Sequence, residues 1–226
     1  MKKISLLVLC LFAFAFVKAQ IANVNTNMSG VPLRLKSYKD IQGSPYLFDD
    51  WQEANFLSKE GVVVESVYIR YNIYEDKVEY KKEGETYQLM NESVKGFIVG
   101  VPDNDGRMKR TVFQNGFNDV KGFEKGNFFA VLFDGKVKFL QKIEAKLVET
   151  TATYGTSSTL TKFVKEESFY FVNEKGETNK IKRNNSSLLK ILNDKSLNNF
   201  VKENDLNIKE DSALLKTLQF YESLLN

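Results

Sequence analysis

Histidine does not occur anywhere in this chain, and that absence closes more chemistry than any motif opens. Without an imidazole there is no Ser-His-Asp or Cys-His nucleophilic site, no Cys/His zinc site and no side chain that titrates unaided near neutral pH. Cysteine is almost as scarce. The single residue, Cys10, lies in a segment expected to be removed, so the mature chain has no thiol and no disulfide to stiffen it in an oxidising compartment. An enzyme built from what remains would need paired carboxylates, a Ser-Lys pair or an all-oxygen metal site. No catalytic, cofactor-binding or metal-ligating residue is assigned from the sequence.

An apolar run of membrane-spanning length is also missing. Ile4 to Val17 is the most hydrophobic stretch, yet a spanning helix needs about 20 residues. Lys2 and Lys3 precede it, and Val17 and Ala19 place small residues before Gln20. Positive start, short apolar run and small-residue cleavage site are the three parts of a secretory signal peptide, expected over residues 1–19. Leu9 is bulky and Cys10 sits inside the apolar run, which argues against a lipoprotein. Cleavage would remove Lys2, Lys3 and Lys18 and no acid, so the 32 bases become 29 against 29 acids. A formally neutral mature protein has no whole-molecule field to draw it to nucleic acid.

What is present is β grammar followed by helix grammar. After a polar stretch read as a flexible leader at 20–44, β-branched and aromatic residues alternate between turn pairs from 45 to 183. Those pairs are Glu60-Gly61, Glu83-Gly84, Asp105-Gly106, Asn115-Gly116, Asp134-Gly135 and Lys175-Gly176. Such recurrence predicts antiparallel hairpins in series. In Val62 to Ile73, period two puts Val63, Val67, Ile69, Tyr71 and Ile73 on a core face, with Glu65 the only polar intruder. Asn127 to Phe133 is apolar on both faces, with Phe129, Val131 and Phe133 on one and Phe128, Ala130 and Leu132 on the other. Such a strand must be covered twice, by a sheet that curls or by helices laid on it. The Thr/Ser-rich stretch from Glu149 to Thr161 reads as a mobile loop or loose strand edge.

Residues 184–226 switch to helical spacing. Ser186 or Ser187 can cap a first helix, Ser196 a second, and Glu210 to Leu225 carries Leu214, Leu215, Leu218, Tyr221 and Leu225 on one stripe. The expected architecture is α+β and β-rich: an antiparallel meander curling toward a sandwich or barrel, with the C-terminal helices packed on it.

Several local clusters invite functional readings and have plainer ones. Asp103-Asn104-Asp105-Gly106 lacks the acids a calcium loop requires and suits a hairpin turn. Asp49, Asp50 and Glu53 beside Trp51 could hold a sugar or supply an acid pair, but solvated acids beside a packed tryptophan are the simpler account. Arg107, Lys109 and Arg110, and again Lys180, Lys182 and Arg183, read as solvated strand faces in a neutral protein.

Spaced motifs carry one resemblance. Trp51-Gln52-Glu53, Val67 to Tyr74, Gly126 to Leu132, Asp134-Gly135-Lys136, Ser187 to Leu192, Phe200 to Asn204 and Tyr221 to Leu224 together resemble secreted proteins of Bacteroidetes described only as uncharacterised. The resemblance covers most of the chain from Ser44 onward. It implies a Gram-negative envelope setting and one shared fold, and it brings no established activity whose residues could be carried over. The leading expectation is an exported, non-enzymatic protein of the periplasm, outer-membrane surface or extracellular space. It would bind a protein or surface component, with no cofactor and no nucleic acid. A carrier of an apolar ligand inside the β layer is second, and a carboxylate-dependent hydrolase third.

Overall fold

Eleven strands pair antiparallel into one sheet. They are β1 Gly30–Pro32, β2 Gln52–Leu57, β3 Val63–Asn72, β4 Lys77–Lys82, β5 Glu85–Leu89, β6 Gly96–Pro102, β7 Met108–Gln114, β8 Phe129–Asp134, β9 Lys138–Thr151, β10 Thr159–Val172 and β11 Thr178–Ile181. A computed structural model of the chain describes residues 30–33, 38–61, 63–102, 106–117, 120–151 and 159–225. The expected signal peptide and the Asp103-Asn104-Asp105 turn lie outside the described residues.

The spatial order is β1-β5-β4-β3-β2-β6-β7-β8-β9-β10-β11. The meander of the sequence reading is therefore present, with two departures: β1 lies at the edge beside β5 and not beside β2, and after β5 the chain returns past β2 and continues from β6 on its other side. Glu83 and Gly84 both take positive φ between Lys82 and Glu85. That is the two-residue turn whose twist matches a hairpin.

Two bulges change which side chains reach the core. Opposite Asn55 and Phe56, β3 presents Ser66 and then Val64, so Glu65 is an extra residue. An extra residue inverts the alternation beyond it. Ile69, Tyr71 and Ile73 are buried as expected, whereas Val63 is 54 % exposed. In β8, Val131 faces Leu140 but Phe133 faces Phe139, which makes Leu132 the extra residue. Phe133 is thereby moved to the face that carries Ala130.

The sheet curls until its middle and its far end meet. Ala145 of β9 donates its amide to the carbonyl of Ile73 at the end of β3, at 3.1 Å. The gap beside this contact is filled by residues 38–48. Gln42 exchanges backbone hydrogen bonds with Thr161 and Phe163 of β10 (3.0 and 2.8 Å), and Leu47 and Pro45 bond to Tyr71 and Ile73 (2.9 and 2.8 Å). The expectation of a flexible leader at 20–44 is corrected where that segment is described: Gly30–Pro32 is a strand on β5, and Tyr38 and Ile41 pack on the core. For the stretch from Glu149 to Thr161, read as a mobile loop or a loose strand edge, the strand alternative holds at both ends. Glu149–Thr151 and Thr159–Thr161 are paired strand, and only 152–158 falls outside the described residues.

Inside the curl the space is occupied by rings. Tyr71, Phe97, Phe113 and Phe128 are each no more than 1 % exposed, and their centroids lie 4.9–6.1 Å apart in stacked and edge-on contacts. That geometry matches the preferred arrangement of aromatic quadrupoles.

Three helices follow: α1 Asn185–Leu192, α2 Lys195–Glu203 and α3 Asp211–Leu224. Their caps are not the serines. Asn184 accepts from the Ser187 amide and Asp194 from the Leu197 amide, because each helix begins one or two residues before the expected serine, and Asn and Asp cap as well as Ser. The buried faces of all three helices, through Leu188, Leu197, Leu214 and Leu218, form one cluster with Phe133, Val137, Phe139, Phe171 and Ile181 of the sheet. Glu222 of α3 also accepts a hydrogen bond from the Val137 amide at 3.1 Å. Gly135 permits this contact, since a Cβ there would collide with the Glu222 carboxylate.

The start of α3 is tied to the sheet by charge. Asp211 takes ionic hydrogen bonds from Lys109 of β7 and Arg183 beyond β11. Partial burial alone would raise this carboxyl, but the two cations outweigh it and hold the group below its ordinary value of 3.8. A carboxyl depressed in the folded state stabilises the protein above its unfolded pKa, and loses that effect as pH falls through the folded pKa. Asp211→Asn is therefore expected to be less stable than the parent at pH 7, with the difference shrinking to nothing below the carboxylate range. Urea denaturation of both proteins at pH 7, 4 and 3 measures it, and a constant difference would contradict the assignment.

Candidate functional site

On the outer face of β9, β10 and β11 the alternation places Lys142, Glu144 and Lys146 on β9, then Glu166, Ser168 and Tyr170 on β10, and Lys180 on β11. The connection between β7 and β8 rises beside them. Its Phe117, Val120 and Phe123 pack with Phe129, Leu140 and Tyr170. This cluster covers the second face of the doubly apolar strand, while the helices cover the end of the first. Between the connection and the strands lies an open groove of about 400 Å³, lined by Phe123, Glu144, Lys146, Glu166, Ser168 and Tyr170 together with the exposed Lys121 and Lys180.

Charge in the groove is mixed and unevenly matched. Glu144 and Glu166 stand directly opposite each other on adjacent strands, an arrangement that is repulsive by itself. Lys146 binds Glu166 at 2.5 Å, with both side chains about half exposed. That carboxylate raises the Lys146 ammonium above its usual value. Tyr170 is 4 % exposed. Burial raises its hydroxyl, with Glu144 adding to the shift and Ser168 and Lys146 opposing it, so the phenol stays protonated. Lys180 lies 5.9 Å from the Tyr170 ring centre.

Beneath the wall of the groove is a buried ionic centre. Lys142 is 2 % exposed and places its ammonium 2.8 Å from Asp76 and 2.9 Å from the carbonyl of Phe128. The rings of Phe123 and Phe129 approach the same ammonium at 5.5 and 5.3 Å, within cation–π range. Asp76 also accepts from the Tyr71 hydroxyl, the Asn127 amide group and the Phe128 backbone amide. Its own carbonyl accepts from Asn91. Burial and then the Asp76 charge push the Tyr71 hydroxyl well above its usual range, so it remains a donor. This centre fixes the β3–β4 turn, the β7–β8 connection and β9 to one another.

The residues singled out in the sequence are dispersed. Asp49 and Asp50 are exposed. Glu53 accepts from Ser66. Trp51 lies under the cations of Arg70 and Lys81, at 5.1 and 4.5 Å. Arg70 is in turn held by the buried Glu79 and stacked 3.9 Å from the centre of Tyr46. This is a packed surface ladder with no carboxyl pair in it. Lys109 of one basic cluster and Arg183 of the other meet on Asp211, while Lys180 lines the groove. The Glu144/Glu166 pair was invisible because it spans two strands separated by the long β9–β10 hairpin. Only the register makes them neighbours.

Among the described residues no group of three or more acids could hold a metal ion, and no helix is long and apolar enough to cross a membrane. No family model matches the chain, and no curated protein and no solved structure matches it.

Proposed function

We propose that this protein is exported through a signal peptide cleaved before Gln20 and serves in the cell envelope as a binding protein without chemistry of its own. The groove on β9–β11 is its recognition surface. The observation that carries this reading is the division between a filled interior and a concave exterior. The core is occupied by Tyr71, Phe97, Phe113 and Phe128, which leaves little support for an apolar cargo inside the β layer. The outer groove offers amines, carboxylates and hydroxyls around a half-buried ring, the mix of apolar surface and few convergent polar groups that binding sites use. The envelope setting rests on the signal-peptide pattern and on the resemblance to secreted proteins of Bacteroidetes.

The Glu144/Glu166 pair gives the hydrolase reading a specific observation. Side chains directly opposite on antiparallel strands have Cβ atoms about 4.5–5.5 Å apart, compatible with the spacing of about 5–5.5 Å between the carboxyl groups of retaining glycosidases. Against it, Glu166 is ion-paired and half exposed, where a catalytic acid gains nothing from desolvation. Binding is the better account of the same groove.

Two measurements test the proposal. The intact mass of the exported chain is expected to correspond to a start at Gln20. In whole cells, a photo-cross-linking amino acid replacing Lys121 is expected to trap an envelope macromolecule, while the same group replacing Met108, 60 % exposed on β7, traps none. A retained Met1, or equal trapping at the two positions, would refute it.

A further inference from the structure

We infer that the groove on β9–β11 binds an acidic saccharide, one carrying a carboxylate on a hydroxyl-rich ring. This rests on the reading of that groove as the recognition surface and names the class of its ligand.

Lys146 and Glu166 satisfy one another at 2.5 Å. Lys121 and Lys180 are exposed lining residues, neither with a carboxylate partner among the described residues, and Glu144 is likewise without an ion-pair partner there. Any ligand must therefore meet unpaired ammonium groups and an unpaired carboxylate in the same groove. A simple cation faces three lysines. A compact inorganic anion seated between them faces the Glu144/Glu166 pair. A neutral saccharide suits the carboxylates and the Ser168 hydroxyl but leaves Lys121 and Lys180 idle. An acidic saccharide satisfies both: ring hydroxyls donate to Glu144, and the ligand carboxylate takes charge-assisted hydrogen bonds from Lys121 and Lys180. The C–H face of the ring rests on Phe123. That side chain is half-buried, in edge contact with Phe129 and Tyr170 and 5.5 Å from the Lys142 ammonium, and a packed ring loses less freedom on binding, which lowers the entropic cost. The volume of about 400 Å³ lies within the range of small-ligand sites.

The electrostatic part of this recognition is exposed, so it should weaken with salt. The protein as exported is applied to an array of defined neutral, uronate-bearing, sialylated and sulfated saccharides. Retention is expected for the carboxylate-bearing members, reduced at least tenfold by K121E/K180E, several-fold by E144Q, and reduced by raising salt. Both variants alter surface groups, and an unchanged Tm verifies that they fold as the parent does. Equal retention of neutral saccharides, retention of none, or retention indifferent to K121E/K180E would each overturn the inference. The in-cell cross-link separates the two levels. A blank array together with trapping at position 121 rejects the saccharide and keeps the groove, whereas a blank array with no trapping rejects both.

Discussion

Replacing Asp76 with Asn should destabilise the protein by about 3–5 kcal/mol, the cost of leaving a buried charge without its partner. Asn keeps the shape of the side chain and tolerates the positive φ of 54° found at this turn position, so neither strain nor a cavity obscures the result. What is lost is the negative charge that faces the Lys142 ammonium at 2.8 Å, in a site where Lys142 is 2 % exposed, together with one of the two acceptor oxygens that serve Tyr71, Lys142, Asn127 and Phe128. Lys142→Met should cost less. It removes the ammonium, while Tyr71, Asn127 and the Phe128 amide continue to donate to Asp76. The double variant Asp76→Asn/Lys142→Met should recover part of the loss, because two neutral partners leave no isolated charge. Urea denaturation of the three variants measures this order. If Lys142→Met proved as damaging as Asp76→Asn, with no recovery in the double variant, the centre would matter for packing and not for charge.

That centre also shows where sequence reading stops. Asp76, Asn91, Asn127 and Lys142 are polar residues at unrelated spacings, and nothing local marks them as partners. They meet because the sheet curls, and the curl depends on register and on residues 38–48 bonding to both β3 and β10. By contrast the class of the fold was legible: period two with Gly-containing turn pairs predicts the hairpins, and the leucine spacing near the C-terminus predicts α3. The strand faces were legible up to the bulges and inverted beyond them. Glu65 was conspicuous as a lone acid on an apolar face, and it is the extra residue of β3. A polar intruder in a strict alternation is thus a usable signal for a bulge, and Leu132, apolar among apolar neighbours, gave no such signal. The groove follows the same rule. Glu144 and Glu166 are 22 positions apart on two strands of 14 residues each, and their pairing becomes visible only when the tip of the hairpin, and so its register, is known.

The second large effect belongs to the helices. Leu218→Ala should destabilise the whole protein by about 2–5 kcal/mol, the range for truncating a buried leucine whose cavity cannot fully collapse. Leu218 is 0 % exposed and shares its cluster with Phe133, Val137 and Phe139 of the sheet as well as with Leu188 and Leu197 of the other helices. With sheet on one side and helices on the other, the surroundings have little freedom to close over a missing side chain. α3 has 14 residues, near the length at which an isolated helix is marginal in water, so its order depends on the sheet it covers. The dependence runs both ways. Ending the chain after Asn207 removes Ile208, Leu214 and Leu218 from the cluster and uncovers Phe133, Phe139 and Phe171, an apolar surface that should bind ANS or drive aggregation. The strand from 127 to 133 would then lose one of its two covers while Phe117, Val120 and Phe123 still hold the other. A truncated protein that stayed monomeric, bound no ANS and melted cooperatively at the parent's Tm would show the opposite. The helices would then be a separate module, and the ends of β8, β9 and β10 would need another partner to cover them.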